Sequence, residues 1–572
     1  SRDVILGVIA MPVLSRLRPL AQGLSHYYAA PMAYRHKAAT LSFHGAQSNR
    51  ASSSEVGKLP KLPVPEGAAT LESFLRFSRA ISEPAEFLDS ARAVSTFESG
   101  DMPKLQQLLK ERAASMTNWL TPWWLNVAYL EARDPLPVVT SPGVLFPKFE
   151  YCGLNGQIEH AAKITQAALF FFNAIQRNQL KQDKAGGSPM DMSQYRYLFG
   201  TNRVPKKGKD EIRYGCNAGV QARHIAVMRN GHVVHASEHR CLHPLSVATA
   251  ENRDNWAGLR ESVARLPENK KSLEGVETSL FVVALDGESP PLKGYSERDE
   301  QARQCLHGSG TSRNSINRWF DKTIQFIVGD NGYCGMCYEH TPAEGPPVAA
   351  LMDFVMDQFD QKTFIDEGNN LSVEHLHQLQ FELTADHKVA IDKACARIDK
   401  VADDLEVISY TYTRFGKNFP KKMKMAKGIH RPFEDIYHTL MEALRFHKDY
   451  SQQCMAGSGV DRHILAWRLL ASENGMQPPA ICDTASYKRM MHFQVSTSQV
   501  PTRHFIQMCF GPSADDCYGI CYNPQEKELH FTISTFNKIP SMSSRKFARE
   551  LEKALNDLRA ILAKGLKEQS KL

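Results

Sequence analysis

The chain has 572 residues, and its 69 Lys and Arg exceed its 62 Asp and Glu to give a formal net charge of +7. With 42% hydrophobic and 23% charged residues it has the composition of a globular protein, which excludes collagen-like, disordered and disulfide-scaffold chains. A charge of +7 over this length is too dilute to indicate nucleic-acid binding, and the 12 scattered Cys are typical of free thiols in a reducing compartment.

The segment 1–54 is basic and poor in acid. Its six Arg and Lys face a single acidic residue, Asp3, among many Ser and Ala. This composition is typical of a mitochondrial transit segment, and a disordered basic tail is the alternative. The last three residues, Ser570-Lys571-Leu572, match a peroxisomal address. The two ends predict a location in the mitochondrial matrix and/or the peroxisome. No apolar run approaches the roughly 20 residues that cross a bilayer, so no transmembrane segment is expected.

Apolar periodicity predicts several helices after the Pro-rich stretch at 58–65. Helical spacing begins at Phe74 and continues, in two groups, to Ala91. Further helices are predicted over 346–359, over 389–405 and, at the end of the chain, over 547–562. We interpret the last of these as a surface helix packed on a core.

Strands are predicted in two regions between these helices. A β-hairpin is expected over 323–338, with its turn at Gly329-Asp-Asn-Gly332. A second strand-rich region comprises 505–510, 519–522 and 529–533. Because strands and helices do not alternate strictly, we expect large α/β layers rather than a Rossmann fold. The sequence has no GxGxxG or phosphate-loop motif.

Cys334 and Cys337 have the spacing of a metal or redox motif. No second pair with zinc-like spacing accompanies them, and in a strand residues 334 and 337 point to opposite faces. Cys517 and Cys521 share this weakness. The four thiols are therefore predicted to be structural, and no metal site is expected.

His340 is the strongest candidate for acid–base chemistry. It ends the second strand of the predicted hairpin, and the carboxylates of Glu339 and Glu344 are near in sequence. A histidine oriented in this way can act as a general base near neutral pH. A single His is more often structural, so the pattern by itself leaves both interpretations open.

The segments around His340 resemble the active-site block of the carnitine/choline acyltransferase family. They are Asn317-Arg-Trp-Phe-Asp-Lys322, Glu339-His340 and Glu344-Gly345-Pro-Pro. Further segments occur in the family's order: Ser141-Pro-Gly143, Asn252-Arg-Asp-Asn-Trp-Ala257, Leu306-His-Gly308, Phe415-Gly-Lys417, Asp461-Arg-His463, Ser496-Thr-Ser498 and Phe510-Gly-Pro512. The resemblance extends from about Leu59 to the end of the chain.

The resemblance implies a two-domain α/β fold, that of the CoA-dependent, chloramphenicol-acetyltransferase-like acyltransferases. One domain, 118–383, would carry His340. The other, 55–117 together with 384–572, would form the carnitine and CoA side. The active-site tunnel would lie at the interface of the two domains, and the enzyme is expected to be a monomer.

The implied reaction is reversible transfer of a short-chain acyl group, acetyl first, between coenzyme A and the hydroxyl of L-carnitine. His340 would be the general base, without a covalent intermediate, and Ser498 would donate to the oxyanion. Coenzyme A would be a co-substrate rather than a bound cofactor. Ser496 to Ser498 could also be ordinary polar residues at a strand end.

The resemblance also assigns substrate contacts. Arg462 would bind the carnitine carboxylate, which choline lacks, with Glu344 helping to hold it, and a surface ion pair is the alternative role of this Arg. Ser496 and Phe510 would complete the carnitine side, and Phe510 would lie near the trimethylammonium group. Met508 would limit acyl length, although Met is also a common core residue. The expected CoA contacts are Lys417, Lys421, Lys422, Lys448 and Gln499, and such a basic run could equally be a solvated face.

The chain departs from the family pattern at two places. Several dozen residues that the family has between Lys427 and Arg462 are missing, including hydroxyl groups that share the carnitine carboxylate. A smaller shortfall lies between Val234 and Asn252. The second domain is therefore expected to be shortened near 427–445. These gaps leave two alternatives open. The first is a catalytically impaired CoA-binding relative or a truncated form. The second, which Arg462 makes less favoured, is a choline acetyltransferase.

Overall fold

The computed structural model describes residues 59–185, 187–215, 222–233, 239–364, 378–416 and 432–569. The expected leader and the Ser570-Lys571-Leu572 address lie outside these ranges. No helix in the described ranges is long and apolar enough to cross a membrane.

Within the described residues, the segments near both ends of the chain are mostly helical. They are α1 (Gly67–Ile81), α2 (Pro84–Ser99), α3 (Met102–Ser115), α4 (Thr121–Trp124), α5 (Gly153–Gln176), α6 (Arg253–Val263), α7 (Pro267–Glu277), α8 (Glu297–His307), α9 (Gly345–Gln361), α10 (Ala385–Asp404), α11 (Pro432–Met455), α12 (Val460–Glu473), α13 (Ala485–Met491) and α14 (Ser544–Gln569). The short α4 continues directly into a π-helix over Leu125–Leu130.

The predicted helices are confirmed. The two groups of apolar spacing between Phe74 and Ala91 form two separate helices, α1 and α2. Pro84 is the first residue of α2, a position where proline costs no hydrogen bond, and Glu83 and Glu86 form a capping box there.

The strands form two main sheets and two short hairpins. The strands are β1 (Gly143–Leu145), β2 (Lys184–Ala185), β3 (Ser188–Pro189), β4 (Thr201–Val204), β5 (Glu211–Tyr214), β6 (Ala226–Arg229), β7 (His232–Val233), β8 (Val282–Leu285), β9 (Ile324–Val328), β10 (Cys334–Tyr338), β11 (Leu405–Tyr412), β12 (Val495–Gln499), β13 (Gln507–Cys509), β14 (Tyr518–Pro524) and β15 (Leu529–Phe536). The large sheet has the order β13-β1-β10-β9-β8-β6-β7, and the smaller has the order β11-β15-β14-β12.

The predicted hairpin is confirmed as β9 and β10, which pair antiparallel from Val328 and Cys334 to Ile324 and Tyr338. Both strands are buried along their whole length, because the large sheet lies inside a core that α5 and α9 also line. Phe172, Phe281 and Phe326 belong to this core. Within the large sheet the pairing is mixed, parallel in β6-β8-β9 and antiparallel elsewhere, and this gives the α/β layers that the sequence predicts.

One strand crosses the domain boundary that the sequence suggests. β13 comes from the segment assigned to the second domain, yet it pairs with β1 at the edge of the large sheet. Val144 of β1 consequently has Met336 of β10 on one side and Met508 of β13 on the other. Further cores lie among α1 to α3 and α12, around Trp467, and between the smaller sheet and α14, around Ile533.

Candidate active site

His340 lies just beyond the end of β10, where the chain leaves the buried sheet. Its backbone N–H donates to the carbonyl oxygen of Thr140 over 3.1 Å, and that of the preceding Glu339 donates to the carbonyl oxygen of Thr323 over 3.1 Å. The backbone is thus fixed on both sides, whereas the imidazole keeps 22% of its surface exposed. A held backbone with an accessible ring suits a group that exchanges protons with a substrate.

Tyr129 is the hydrogen-bond partner of the His340 ring. Its hydroxyl lies 2.9 Å from Nδ1 of His340, and the two rings are stacked with centroids 5.5 Å apart. Burial raises the pKa of Tyr129 well above its usual range, and the carboxylates of Glu344 and Glu339 raise it further. The hydroxyl is therefore neutral when the enzyme works, and it can donate or accept at Nδ1.

The other ring nitrogen of His340 faces a carboxylate. Nε2 lies 3.6 Å from Oε2 of Glu344, a distance outside hydrogen-bond range but close enough for a favourable field on an imidazolium. Glu344 precedes the first turn of α9, and its backbone N–H donates to Oε1 of Gln194 over 3.0 Å. Of the two ring nitrogens, Nε2 therefore has the weaker contact with its neighbour.

Arg462 reaches the same group of rings from the other side. It lies in the first turn of α12, pairs with Asp461, and places its guanidinium carbon 3.5 Å from the ring centroid of Trp124. Trp124 in turn contacts Tyr129 edge-on, with centroids 6.4 Å apart. Arg462, Trp124, Tyr129 and His340 therefore form a continuous row of side chains. About a third of the Arg462 side chain is exposed, which leaves donors for an anion.

The expected support of Arg462 by Glu344 is not among the ion pairs of the described residues. Arg462 pairs with Asp461, whereas Glu344 approaches His340. Asp461 is the sequence neighbour of Arg462, so its carboxylate has a shorter distance to cover to the guanidinium. In the described residues the Glu344 carboxylate approaches the general-base candidate, and its proposed support of Arg462 stays a prediction.

Ser496 and Ser498 lie on β12, which pairs parallel with β14 and is the outer strand of the smaller sheet. Both serines are half-buried, whereas the intervening Thr497 is exposed, so the two serines share the face turned toward the protein. Ser498 lies opposite Cys521 in the register of this pairing, beside its buried thiol. Burial raises the pKa of Cys521 to about 12.

Tyr338 links this strand pair to His340. Its ring is stacked 5.6 Å from the His340 ring, and its hydroxyl is fully buried. Burial raises the pKa of Tyr338 well above its usual range, and the nearby Cys521 and Glu344 add to this effect. Since Cys521 contacts Ser498, the serine strand and the histidine approach each other across these buried groups.

Met508 and Phe510 lie on or beside β13. Met508 is 6% exposed and packs in the core that contains Tyr338 and Cys521, and its carbonyl oxygen accepts from Oγ1 of Thr532 over 2.5 Å. Phe510, just after the strand, is half-buried against the same core. Met508 is thus a core residue, in the same core as Tyr338 and Cys521.

The expected CoA contacts are only partly described. Lys448 lies on α11 and Gln499 ends β12, and both side chains are exposed. Lys417, Lys421 and Lys422 lie outside the described residues. The structure therefore brings His340, Glu344 and Arg462 together. Ser498 and Met508 are connected to this group through the buried core that contains Tyr338 and Cys521. The CoA contacts stay a prediction.

Cys334 and Cys337 occupy opposite faces of β10, as predicted. Each packs in a different hydrophobic core, and burial raises the pKa of both thiols to about 12. Within the described ranges, three other residues place possible ligand atoms within 4.8 Å of one another: His492, Asp516 and Cys517. His492 and Asp516 already satisfy each other at 2.8 Å, so we assign no metal to them.

Sequence reasoning missed Tyr129 and Trp124. Both precede every motif that carries the family resemblance, and both lie more than 200 positions before His340. The signal available was the aromatic run Trp123-Trp124 followed by Tyr129, which is unusual beside a short helix. A π-helix brings these side chains together, and such helices are frequent at functional sites.

Comparison with known proteins agrees with these features. Residues 62–239, 233–428 and 431–553 match the family described as Choline/Carnitine o-acyltransferase. The matched segments overlap at 233–239 and break between 428 and 431, which are the two places where the sequence departs from the family pattern.

Two named relatives span nearly the whole chain. Carnitine O-acetyltransferase of Rattus norvegicus is 32% identical over 88% of this chain and 93% of that protein, and Choline O-acetyltransferase of Homo sapiens is 27% identical over 89% and 80%. Among solved structures, a wax ester synthase/diacylglycerol acyltransferase from Marinobacter aquaeolei VT8 is 11% identical over 78% of this chain and 98% of that chain. Its TM-score of 0.26 is too low to bear on the fold.

Proposed function

This chain belongs to the choline/carnitine O-acyltransferase family and is an acyltransferase, and we propose that it transfers a short-chain acyl group reversibly between coenzyme A and the hydroxyl of L-carnitine. Acetyl is the first candidate for the acyl group. The observation that carries this proposal is the row from His340 through Tyr129 and Trp124 to Arg462, which combines a proton acceptor with a guanidinium.

The proposed reaction begins with His340, whose Nε2 takes the proton from the carnitine hydroxyl. The alkoxide oxygen attacks the thioester carbonyl, and the oxyanion that forms is stabilised by the hydroxyl of Ser498. Collapse of this intermediate breaks the carbon–sulfur bond and releases the thiolate of coenzyme A, which recovers the proton from His340. Glu344, 3.6 Å from Nε2, favours the imidazolium that exists between these steps.

The thiols beside the site support direct transfer without an acyl-enzyme. A cysteine nucleophile needs an exposed, low-pKa thiolate. Burial instead raises the pKa of Cys337 and Cys521 to about 12, so both remain protonated. Coenzyme A then acts as co-substrate, and no bound cofactor belongs to the proposal.

The choice of carnitine over choline rests on Arg462. A planar guanidinium is the preferred partner of a carboxylate, and choline has no carboxylate to bind. Stacking on Trp124 fixes the plane of the guanidinium, and the exposed third of the side chain leaves it accessible. Ser496 and Phe510 complete the proposed carnitine side.

The remaining assignments are proposed with the reaction. Lys417, Lys421, Lys422, Lys448 and Gln499 would bind coenzyme A, Met508 would limit acyl length, and the substrates would meet in a tunnel between domains 118–383 and 55–117 plus 384–572. We propose that the enzyme acts as a monomer. We also propose a location in the mitochondrial matrix and/or the peroxisome, and the basic composition of 1–54 supports the mitochondrial part of this proposal.

The test is release of the CoA thiol from acetyl-CoA by the purified full chain. We expect release that requires L-carnitine, exceeds release with choline, and falls at least 1,000-fold in His340→Gln. His504→Gln is the matched control, because His504 also contacts carboxylates, Asp357 and Asp360, but lies on another loop. Full activity of His340→Gln would refute the assignment of the base, and faster reaction with choline would refute that of the alcohol.

A catalytically impaired CoA-binding relative is the second candidate. The break in the family match between 428 and 431 favours it, because the missing segment supplies hydroxyl groups to the carnitine carboxylate in the family pattern. Loss of several charge-assisted hydrogen bonds, each worth about 1.5–3 kcal/mol, would weaken carnitine binding by orders of magnitude. Calorimetry distinguishes the two: heat of CoA binding without carnitine binding or turnover supports the impaired form.

A further inference from the structure

Arg203 joins the two segments that carry the hydrogen-bonded pair of the active site. It lies on β4, is 1% exposed, and donates through Nη2 to the backbone carbonyl oxygen of Tyr129 over 2.6 Å. Through Nη1 it donates to Oε1 of Glu339 over 3.3 Å and to Oγ1 of Thr341 over 3.1 Å. These two acceptors are the chain neighbours of His340. One planar group thus holds the π-helix and the strand end at a fixed separation.

The charge of Arg203 is balanced inside the protein. Nε donates to Oδ2 of Asp210 over 2.7 Å, and that carboxylate also accepts from Arg253. Glu339, likewise buried, accepts from Oγ1 of Thr341 over 2.5 Å. A guanidinium presents its donors in a rigid fork, so it can address these four acceptors at once, whereas a lysine ammonium cannot reproduce that geometry.

What is held in place is the hydrogen bond at Nδ1 of His340. Trp124 contacts the Tyr129 ring edge-on, with centroids 6.4 Å apart. The Tyr129 hydroxyl lies 2.9 Å from Nδ1 of His340, and its oxygen has lone pairs that can accept from a protonated Nδ1. If Nδ1 carries the proton, Nε2 keeps its lone pair on the open edge of the ring, as a general base requires.

We propose that Arg203 is a positioning residue, which holds the Tyr129 hydroxyl against Nδ1 of His340 and thereby keeps the imidazole in the tautomer with an unprotonated Nε2. This inference rests on the proposed role of His340 as the base. Arg203 acts through Tyr129, and it touches neither substrate.

The first measurement is the tautomer of His340 by ¹⁵N NMR of the histidine-labelled full chain, with His340→Gln to assign the signal. We expect protonated Nδ1 in the wild type at a pH where the ring is neutral. In Tyr129→Phe and in Arg203→Lys we expect a mixture in which Nε2–H is populated. Arg318→Lys is the matched control and should keep the wild-type tautomer, since Arg318 is equally buried but donates to Asp286 and to the backbone carbonyl oxygen of Gln304 instead.

The second measurement is a double-mutant cycle on kcat. We expect Arg203→Lys to lower kcat by 10- to 100-fold in the wild-type background and by less than threefold in Tyr129→Phe, because the bond it protects is already lost. Arg318→Lys should lower the Tm without this coupling. If Arg203→Lys does not fold, Thr341→Val, which removes one acceptor of Nη1, takes its place in the cycle.

A wild-type ring protonated at Nε2, or equal effects of Arg203→Lys in both backgrounds, would overturn the proposal. The NMR result needs no turnover. A protein that transfers no acyl group to carnitine but shows the expected tautomers would therefore refute the proposed function and leave the role of Arg203 supported.

Discussion

Ser498 lies directly opposite Cys521 in the parallel pairing of β12 with β14. Cys521 is 4% exposed, so this pairing places a half-buried serine of the outer strand beside a buried thiol. Burial raises the pKa of this thiol to about 12 and keeps it neutral. We expect this uncharged neighbour to help orient the hydroxyl that we propose as the oxyanion donor.

The first prediction concerns the hydroxyl itself. Ser498→Ala should lower kcat by about 100- to 1,000-fold, the usual cost of removing one oxyanion donor, with little change in KM. Thr497→Ala is the control, because its neighbouring hydroxyl is exposed on the other face of β12. Steady-state kinetics with acetyl-CoA and L-carnitine measure both. An unchanged kcat in Ser498→Ala would show that another group stabilises the oxyanion.

The thiol partner gives a graded version of this test. Cys521→Ala removes the neighbouring thiol but leaves the Ser498 hydroxyl, so we expect a loss of about tenfold in kcat, smaller than that of Ser498→Ala. In the double variant the loss should equal that of Ser498→Ala alone. Fully multiplicative losses would contradict a role of Cys521 in orienting the serine.

The second prediction concerns acyl length. Met508 is buried beside Val144, and truncation to Ala leaves a cavity that a longer acyl chain can enter. We expect Met508→Ala to raise the ratio of octanoyl to acetyl transfer at least tenfold and to lower the free energy of unfolding by about 2–5 kcal/mol. Competition between the two acyl-CoA substrates measures the ratio.

Met336→Ala is the matched control for this change. Met336 lies on the other side of the same Val144, is 0% exposed, and loses the same number of atoms. Its stability should fall by a similar amount without a change in the acyl ratio. An equal change of the ratio in both variants would mean that general loosening of the core, and not the position of Met508, admits the longer chain.

The third prediction concerns the alcohol. Arg462→Met keeps a long apolar side chain over Trp124 but removes the guanidinium, so KM for L-carnitine should rise by about 10- to 150-fold, while choline transfer stays unchanged. Arg462→Lys should give an intermediate KM, because it retains the charge without the fork. Asp461→Asn is the control for loss of the ion pair. A carnitine KM that stays constant in Arg462→Met would assign the carboxylate to another group.

Local patterns predicted the hairpin of β9 and β10 closely. Its turn residues and its apolar strands are adjacent in sequence, so no distant partner had to be known. The opposite placement of Cys334 and Cys337 followed from strand geometry in the same way. The position of β13 could not be predicted, because a three-residue apolar strand fits either sheet and its pairing with β1 is set by tertiary packing.

The contacts that hold the candidate site in place also could not be predicted from local sequence patterns. Arg203 and Tyr129 reach His340 only through contacts between segments 74 to 211 residues apart. A single buried arginine leaves no periodic pattern in the sequence. The π-helix around Tyr129 has a residue period different from the α-helical period that is used to predict helices. The family resemblance predicts which residues would meet substrate, whereas the groups behind them depend on the fold.

The last prediction concerns pH and a motif residue behind the site. Asp321 accepts from the indole N–H of Trp256 over 2.6 Å and from Arg253 over 2.7 Å, but complete burial dominates and raises its pKa to about 6. The folded protein therefore holds a proton that the unfolded chain has released above a pKa of 3.8. Stability from this group is present below pH 4 and is lost as the pH rises to about 6, by about 3 kcal/mol in all.

Asp321→Asn removes this titration, so urea unfolding of both proteins between pH 4 and pH 7 isolates it. We expect the stability of the wild type relative to Asp321→Asn to fall by about 3 kcal/mol as the pH rises. For Asp210, burial acts to raise the pKa, but Arg253 and Arg203 outweigh it and lower the pKa. The wild type relative to Asp210→Asn should consequently show a constant difference over the same range, because Asp210 is ionised throughout. A constant difference for Asp321→Asn as well would mean that Arg253 keeps Asp321 ionised in the folded protein.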